Sequence, residues 1–220
     1  MKRNQSGFTL IEIAIVLVII GLLLGGVLKG QELINSAKVK NLATDFRNIP
    51  VFIYGYQDKF RALPGDDINA ASHVNATSNG GGNGIISGKW DSLTPTDETQ
   101  LFWQDVRLAG LATGPTSGAD LLPTNSAGGI IGVTNGGADN PDVVTYTPPA
   151  TKLNGTYIIC SAGILGKFAK QLDIQMDDGN PTTGSMRSYN SNSRPSTLST
   201  PTLVNGSLDD ATPYTVCMGV

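Results

Sequence analysis

A chain of 220 residues with 40% apolar and 15% charged residues suits one folded domain, or one domain plus an anchoring element. The net charge of -3 gives no basic footprint for nucleic acid and no strong acidity, so charge alone names no partner. A single histidine excludes a His-rich metal site or a metal-ligand pair of histidines.

The first predicted element is the apolar run Phe8 to Leu28, whose Ile, Leu and Val content exceeds that of any later stretch. At about 1.5 Å per residue it spans roughly 31 Å, which matches a hydrocarbon core of about 30 Å. A cleaved secretory signal has a shorter apolar region and a small-residue cleavage site, and GVLKGQEL offers none. A retained anchor is therefore favoured over a signal or a buried core helix. Lys2 and Arg3 precede the run while Lys29, Lys38, Lys40 and Arg47 follow it, so the positive-inside count leaves orientation open. One acid, Glu12, interrupts the run. At membrane depth such a group costs roughly 2.5 to 3.5 kcal/mol, which marks it as functional by default.

The left edge of the run, MKRNQSGFTLIE, is a short basic leader, then Gly7, then Phe8, Thr9, Leu10, Ile11 and Glu12. It closely resembles the N-terminus of the type IV prepilin and pseudopilin family. The resemblance implies cleavage between Gly7 and Phe8 by a prepilin peptidase, N-methylation of Phe8, and roles for Phe8, Thr9 and Glu12 in assembly. It implies that Glu12 meets the Phe8 amine of a neighbouring subunit in an apolar filament core, where an unpaired charge would be strongly unfavourable. Before assembly the new Phe8 amine and Glu12 lie four apart on one helical face, where they can neutralise each other.

Gly21, Gly25, Gly26 and Gly30 follow within the same helix. Their spacing permits close helix approach, and each helical glycine also weakens the helix by about 1 kcal/mol relative to Ala. The resemblance favours the second role, local melting on packing into a filament. Leu42, Phe46, Ile49, Ile53, Tyr56 and Phe60 then recur at helical spacing and predict an amphipathic half that packs on a head. Pro50 is expected to kink this helix or break it near Phe46, at a cost of about 3 kcal/mol if internal. A near-continuous helix to about Arg61 would be roughly 80 Å long. ALPGDD stops it, with Asp66 or Asp67 capping a short following turn.

In the head, SNGGGNG (78–84) and the Ser, Asn, Thr and Pro tract 188–201 read as loops. TPTDETQLFWQDVRLAGL reads as a helix with Thr94 as cap, Pro95 in the first turn, and Phe102, Val106 and Ala109 on one face packed against a sheet. Short β-like runs at 130–134, 143–147 and 157–161 suggest an antiparallel sheet. The predicted class is α+β and pilin-like, divided into a leader 1–7, a membrane or filament-core helix 8–28, an amphipathic half 29–62 and a head 63–220.

Cys160 and Cys217 most simply form one disulfide, which suits an oxidising location, and the resemblance implies a C-terminal disulfide loop. The segment they enclose is expected to be the most exposed part of the subunit. His73 sits in a polar stretch and reads as solvated. GILGKF (163–168) departs from a phosphate loop, with Ser161 where Gly is needed and Phe168 in place of Ser or Thr, and no nucleophile elbow is present. No enzymic activity and no cofactor is expected. Asp173, Asp177 and Asp178 form a calcium candidate whose spacing does not match an EF-hand, and a helix end with an Asp-Gly turn explains the same residues. The expected function is a structural subunit of a type IV pilus or type II secretion pseudopilus, leaning to a minor pilin or pseudopilin. Its expected partners are copies of itself or related pilins, the prepilin peptidase and methyltransferase, and an inner-membrane assembly platform, with the head on the periplasmic side. The alternative is a filament-borne adhesin or DNA-capture subunit acting through head loops, although no basic cluster interleaves with aromatics to favour nucleic acid.

Overall fold

The computed structural model of the chain describes residues 9–118, 121–136, 153–190 and 206–220. The β-like run 143–147 and most of the tract 188–201 lie outside these. The chain separates into two compact units, Met1–Lys38 and Val39–Val220. In the first, the helix α1 (Leu10–Phe60) presents Leu10, Ile11, Leu17, Leu22 and Leu28 bare, each more than 60% exposed. The stretch is long and apolar enough to cross a membrane.

The second unit has its own core. There α1 buries Val39, Leu42, Ala43, Phe46, Ile49, Ile53 and Tyr56, the stripe expected from spacing, with Phe60 half-buried at its end. No break occurs at Pro50, which lies inside α1. Proline removes one backbone donor there, but Phe46, Ile49 and Ile53 on either side are sealed into the same cluster, and that burial outweighs a cost of about 3 kcal/mol. Arg61 closes the helix in the left-handed region (φ 56°), its N–H donating to the Gln57 carbonyl at 2.9 Å.

Two short helices follow, α2 (Ala70–Val74) and α3 (Glu98–Leu108). Thr94 does not cap α3. It heads a preceding turn, accepting from the Asp97 N–H at 3.0 Å, and Asp97 takes the N-cap position. The helix is buried on every side from Glu98 to Arg107, so its polar residues face protein rather than solvent. It lies against the first strand, as expected for a helix on a sheet.

The sheet has four antiparallel strands in the order β1-β2-β4-β3: β1 (Ile131–Asn135), β2 (Tyr157–Leu165), β3 (Met186–Tyr189) and β4 (Pro213–Gly219). Between β2 and β3 runs α4 (Gly166–Met176). Along β2 the side chains alternate: Ile158 and Cys160 join a small cluster with Trp90 and Tyr189, while Ile159 joins the main core with Phe46, Phe102 and Val216. A bulge between Ser161 and Ile164 switches the parity, so even-numbered Ile164 also enters the main core. Both faces of the sheet are therefore covered. Trp90 is drawn over the second face because β1 carries Gly132 there, where a Cβ would stand 1.7 Å from the Trp90 carbonyl oxygen.

Cys160 and Cys217 are joined in a disulfide and are both fully buried. The described residues between them are not chiefly an exposed loop. They contribute Ile164, Phe168, Leu172, Met186 and Val216 to the main core, because α4 carries an apolar stripe and β3 and β4 alternate. Ser188 and Tyr189, read as the start of a polar tract, are buried in β3.

Candidate functional site: the N-terminal assembly segment

The first turn of α1 is built by its own residues. The Thr9 hydroxyl and the Thr9 N–H both donate to Glu12 Oε2, at 2.7 and 2.8 Å, and the Glu12 N–H donates back to Thr9 Oγ1 at 3.3 Å. This reciprocal pattern is a capping box, which satisfies backbone donors that no helical carbonyl can reach. The T-x-x-E spacing of residues 9–12 carries that signal in the sequence. Both side chains are exposed. Glu12 thus has a local partner within the single chain, besides the one implied by the resemblance. Gly7 and Phe8 lie outside the described residues.

At Gly21, Gly25, Gly26 and Gly30 an added Cβ would meet nothing within 4 Å. Among the described residues, no contact requires the absence of a side chain there. Their cause is either backbone weakness or close approach by something outside the chain.

Residues 2–28 match the family model described as the prokaryotic N-terminal methylation motif. The match, confined to this N-terminal segment, supports a precursor of type IV prepilin or pseudopilin type. The motif implies processing by a prepilin peptidase and assembly among pilins, and the apolar helix fits a membrane-anchored pilin. Comparison with curated proteins and with solved structures gives no match.

Two buried acids organise the loop that follows α2. Asp66 accepts from the Asn83 and Gly84 N–H groups at 2.9 and 2.6 Å, and Glu98 accepts from those of Gly81 and Ser87 at 2.7 and 2.6 Å. The segment SNGGGNG, expected to have little to pack, is held through its backbone instead. Glycine suits it because a Cβ at Gly80 would lie 2.4 Å from Asp66 Cα.

His73 is not simply solvated. Its Nδ1 is 2.6 Å from Asp67 Oδ2, and its ring stacks on Phe60 with centroids 5.3 Å apart. The Tyr56 hydroxyl donates to the same Asp67 oxygen at 2.9 Å and the Asn69 N–H to the other at 2.8 Å. Burial works against the ionised Asp67, yet the bonds from His73, Asn69 and Tyr56 hold it below the usual carboxylate range. Nearby Asp105 accepts from the Gly65 N–H at 2.8 Å, but burial pushes its pKa up to about 7, with the charge of Asp67 adding to the effect. Asp67, His73 and Phe60 border a cavity of about 610 Å³, lined also by Gln57, Arg61 and Tyr157.

Asp173, Asp177 and Asp178 come together where α4 ends, each offering an oxygen within 4.8 Å of the others. GILGKF falls at the junction of β2 and α4, with Phe168 buried in the core.

Proposed function

We propose that the mature chain is a filament subunit, a minor pilin or a pseudopilin of a type II secretion system, polymerised through Phe8 to Leu28 with Glu12 setting axial register. The observation that carries this reading is the match at residues 2–28 joined to a bare apolar helix whose glycines no contact among the described residues explains. In this reading the helix is held in the inner membrane with the head on the periplasmic side, where the Cys160–Cys217 disulfide would be stable. An assembly platform extracts the subunit, and the Thr9 bonds to Glu12 are exchanged for a neighbour's Phe8 amine. The head serves structure and recognition rather than catalysis. Supporting that, its single histidine is engaged by Asp67 and Phe60, and its buried acids Asp66 and Glu98 bind backbone.

The deciding experiment is N-terminal mass spectrometry on sheared surface filaments and on membranes from the same cells. A methylated chain beginning at Phe8 in the sheared fraction supports the proposal, and its abundance separates major from minor subunit. A chain still beginning at Met1 and confined to membranes, in cells with an active peptidase, would overturn it.

A further inference from the structure

The end of α1 opens onto the cavity of about 610 Å³, and the residue that turns the chain there is not the one backbone geometry favours. Arg61 holds a φ of 56°, in the left-handed region where glycine commonly closes a helix and a side chain adds strain. A cation at a helix C-terminus gains a little from the dipole, but Lys59 already supplies one in the last turn. The Arg61 side chain lines the cavity instead, and none of the described residues engages its guanidinium. Asn69 lines the same space. Its main chain is spent on Asp67, Ser72 and His73, while its side-chain amide has no partner among the described residues. His73 commits Nδ1 to Asp67 and keeps Nε2 for another group. The nearby carboxylates are already occupied, Asp66 by the Asn83 and Gly84 N–H groups and Asp67 by His73, Tyr56 and the Asn69 N–H. Apolar surface completes the lining, from half-buried Phe60 and Tyr157 and from Ile68, which is 55% exposed.

The geometry points to a saccharide site, a cavity at the end of α1 that takes a neutral mono- or disaccharide. A sugar ring presents a face of C–H groups and an edge of hydroxyls that both donate and accept. Tyr157, Phe60 and Ile68 suit the face, and the planar groups of Arg61, Asn69 and Gln57 suit the edge, since adjacent hydroxyls can bridge two atoms of one amide or guanidinium. The surroundings select against ions. An anion would meet the C-terminal carbonyls of α1 and the charges of Asp66 and Asp67, and a cation would meet Arg61. A neutral ligand escapes both penalties. The strained backbone at Arg61 then has a reason, because glycine would relax the turn and remove the donor fork. The inference does not depend on the assembly reading.

The test uses the full chain in a polyoxyethylene detergent, which carries no sugar headgroup. Calorimetry and saturation-transfer NMR follow the methyl glycosides of glucose, galactose and N-acetylglucosamine, with acetate and tetramethylammonium as ionic controls. At least one glycoside is expected to bind at millimolar concentration or below, with saturation reaching its C–H face, and neither ion is expected to bind. Arg61→Gly should weaken that binding about tenfold, the loss of roughly one good hydrogen bond. The same variant should melt at or above the wild-type temperature, since glycine relaxes the left-handed turn. Asn69→Ala, at an exposed position that does not threaten the core, should weaken binding by a similar factor. Failure of all three glycosides to bind, tighter binding of either ion, or glycoside binding that survives both variants would each overturn the assignment.

Discussion

Cys160 and Cys217 stand directly opposite one another, one on β2 and one on β4, so their disulfide clasps the two central strands of the sheet. The sequence separation is 57 residues. Closing a loop of that size restrains the unfolded chain by about 4 kcal/mol in the chain-entropy account. The double variant Cys160→Ser/Cys217→Ser should therefore lose about 2 to 4 kcal/mol in denaturant unfolding, while keeping the sheet visible by circular dichroism. An unchanged midpoint would show that the bond adds nothing to the strand pairing around it.

Glu12 and Thr9 can be separated by mutation. Thr9→Val removes the hydroxyl from the capping box and should fray the first turn of α1 by about 1 kcal/mol while leaving the carboxylate available to a neighbour. Glu12→Ala removes both roles. Filament yield in the sheared fraction should thus fall modestly for Thr9→Val and almost completely for Glu12→Ala, with cleavage intact in both. Equal yields would deny Glu12 any role beyond helix capping.

Loop 78–84 should depend on Asp66. Asp66→Ala leaves the Asn83 and Gly84 N–H groups without their acceptor, and charge-assisted bonds of this kind are worth about 1.5 to 3 kcal/mol each. A loss of about 3 kcal/mol is expected, with new proteolytic cuts near Gly80 to Gly84 appearing before the rest of the head is attacked. Cuts elsewhere first would mean that the loop is held by other means.

Stability should fall as pH rises from about 4 to 7. Asp105 and Asp173 have folded pKa values near 7, against a usual carboxylate value near 4. Across that window the unfolded chain releases protons that the folded chain keeps, so folding loses ground until both states are ionised. Asp67 runs the other way, since its lowered pKa stabilises the fold above the usual range and that contribution disappears in acid. Asp105→Asn should flatten the slope between pH 4 and 7 and stabilise the head at pH 7.5, as read from urea midpoints. An unchanged slope would place the proton uptake elsewhere.

Much of this was legible from spacing. The stripe from Leu42 to Tyr56, the helix containing Phe102 and Val106, and the strands near Ile131 and Tyr157 all follow from periodic burial, which local sequence records directly. Pro50 misled because its cost is local while the burial that outweighs it is shared along the helix. The strands at Met186 and Pro213 were missed because they are short, sit beside polar tracts, and gain their stability from partners distant in sequence. His73 looked solvated because its partners, Asp67 and Phe60, are set by how the chain turns after Arg61. Asp66 reads as a turn cap, since sequence does not disclose that a glycine loop will bring its amides to it and to Glu98.

The strand order has a temporal consequence. β4 lies between β2 and β3, so β3 has no strand to pair with until residues 213–219 are present. A ribosome releasing this chain, or a channel threading it across a membrane, delivers β4 after both of the strands that it joins. The head cannot close gradually from its N-terminal side, and oxidation of Cys160 must likewise wait for Cys217. Until then β2 carries an open edge, which makes the interval before release the period of greatest exposure to mispairing.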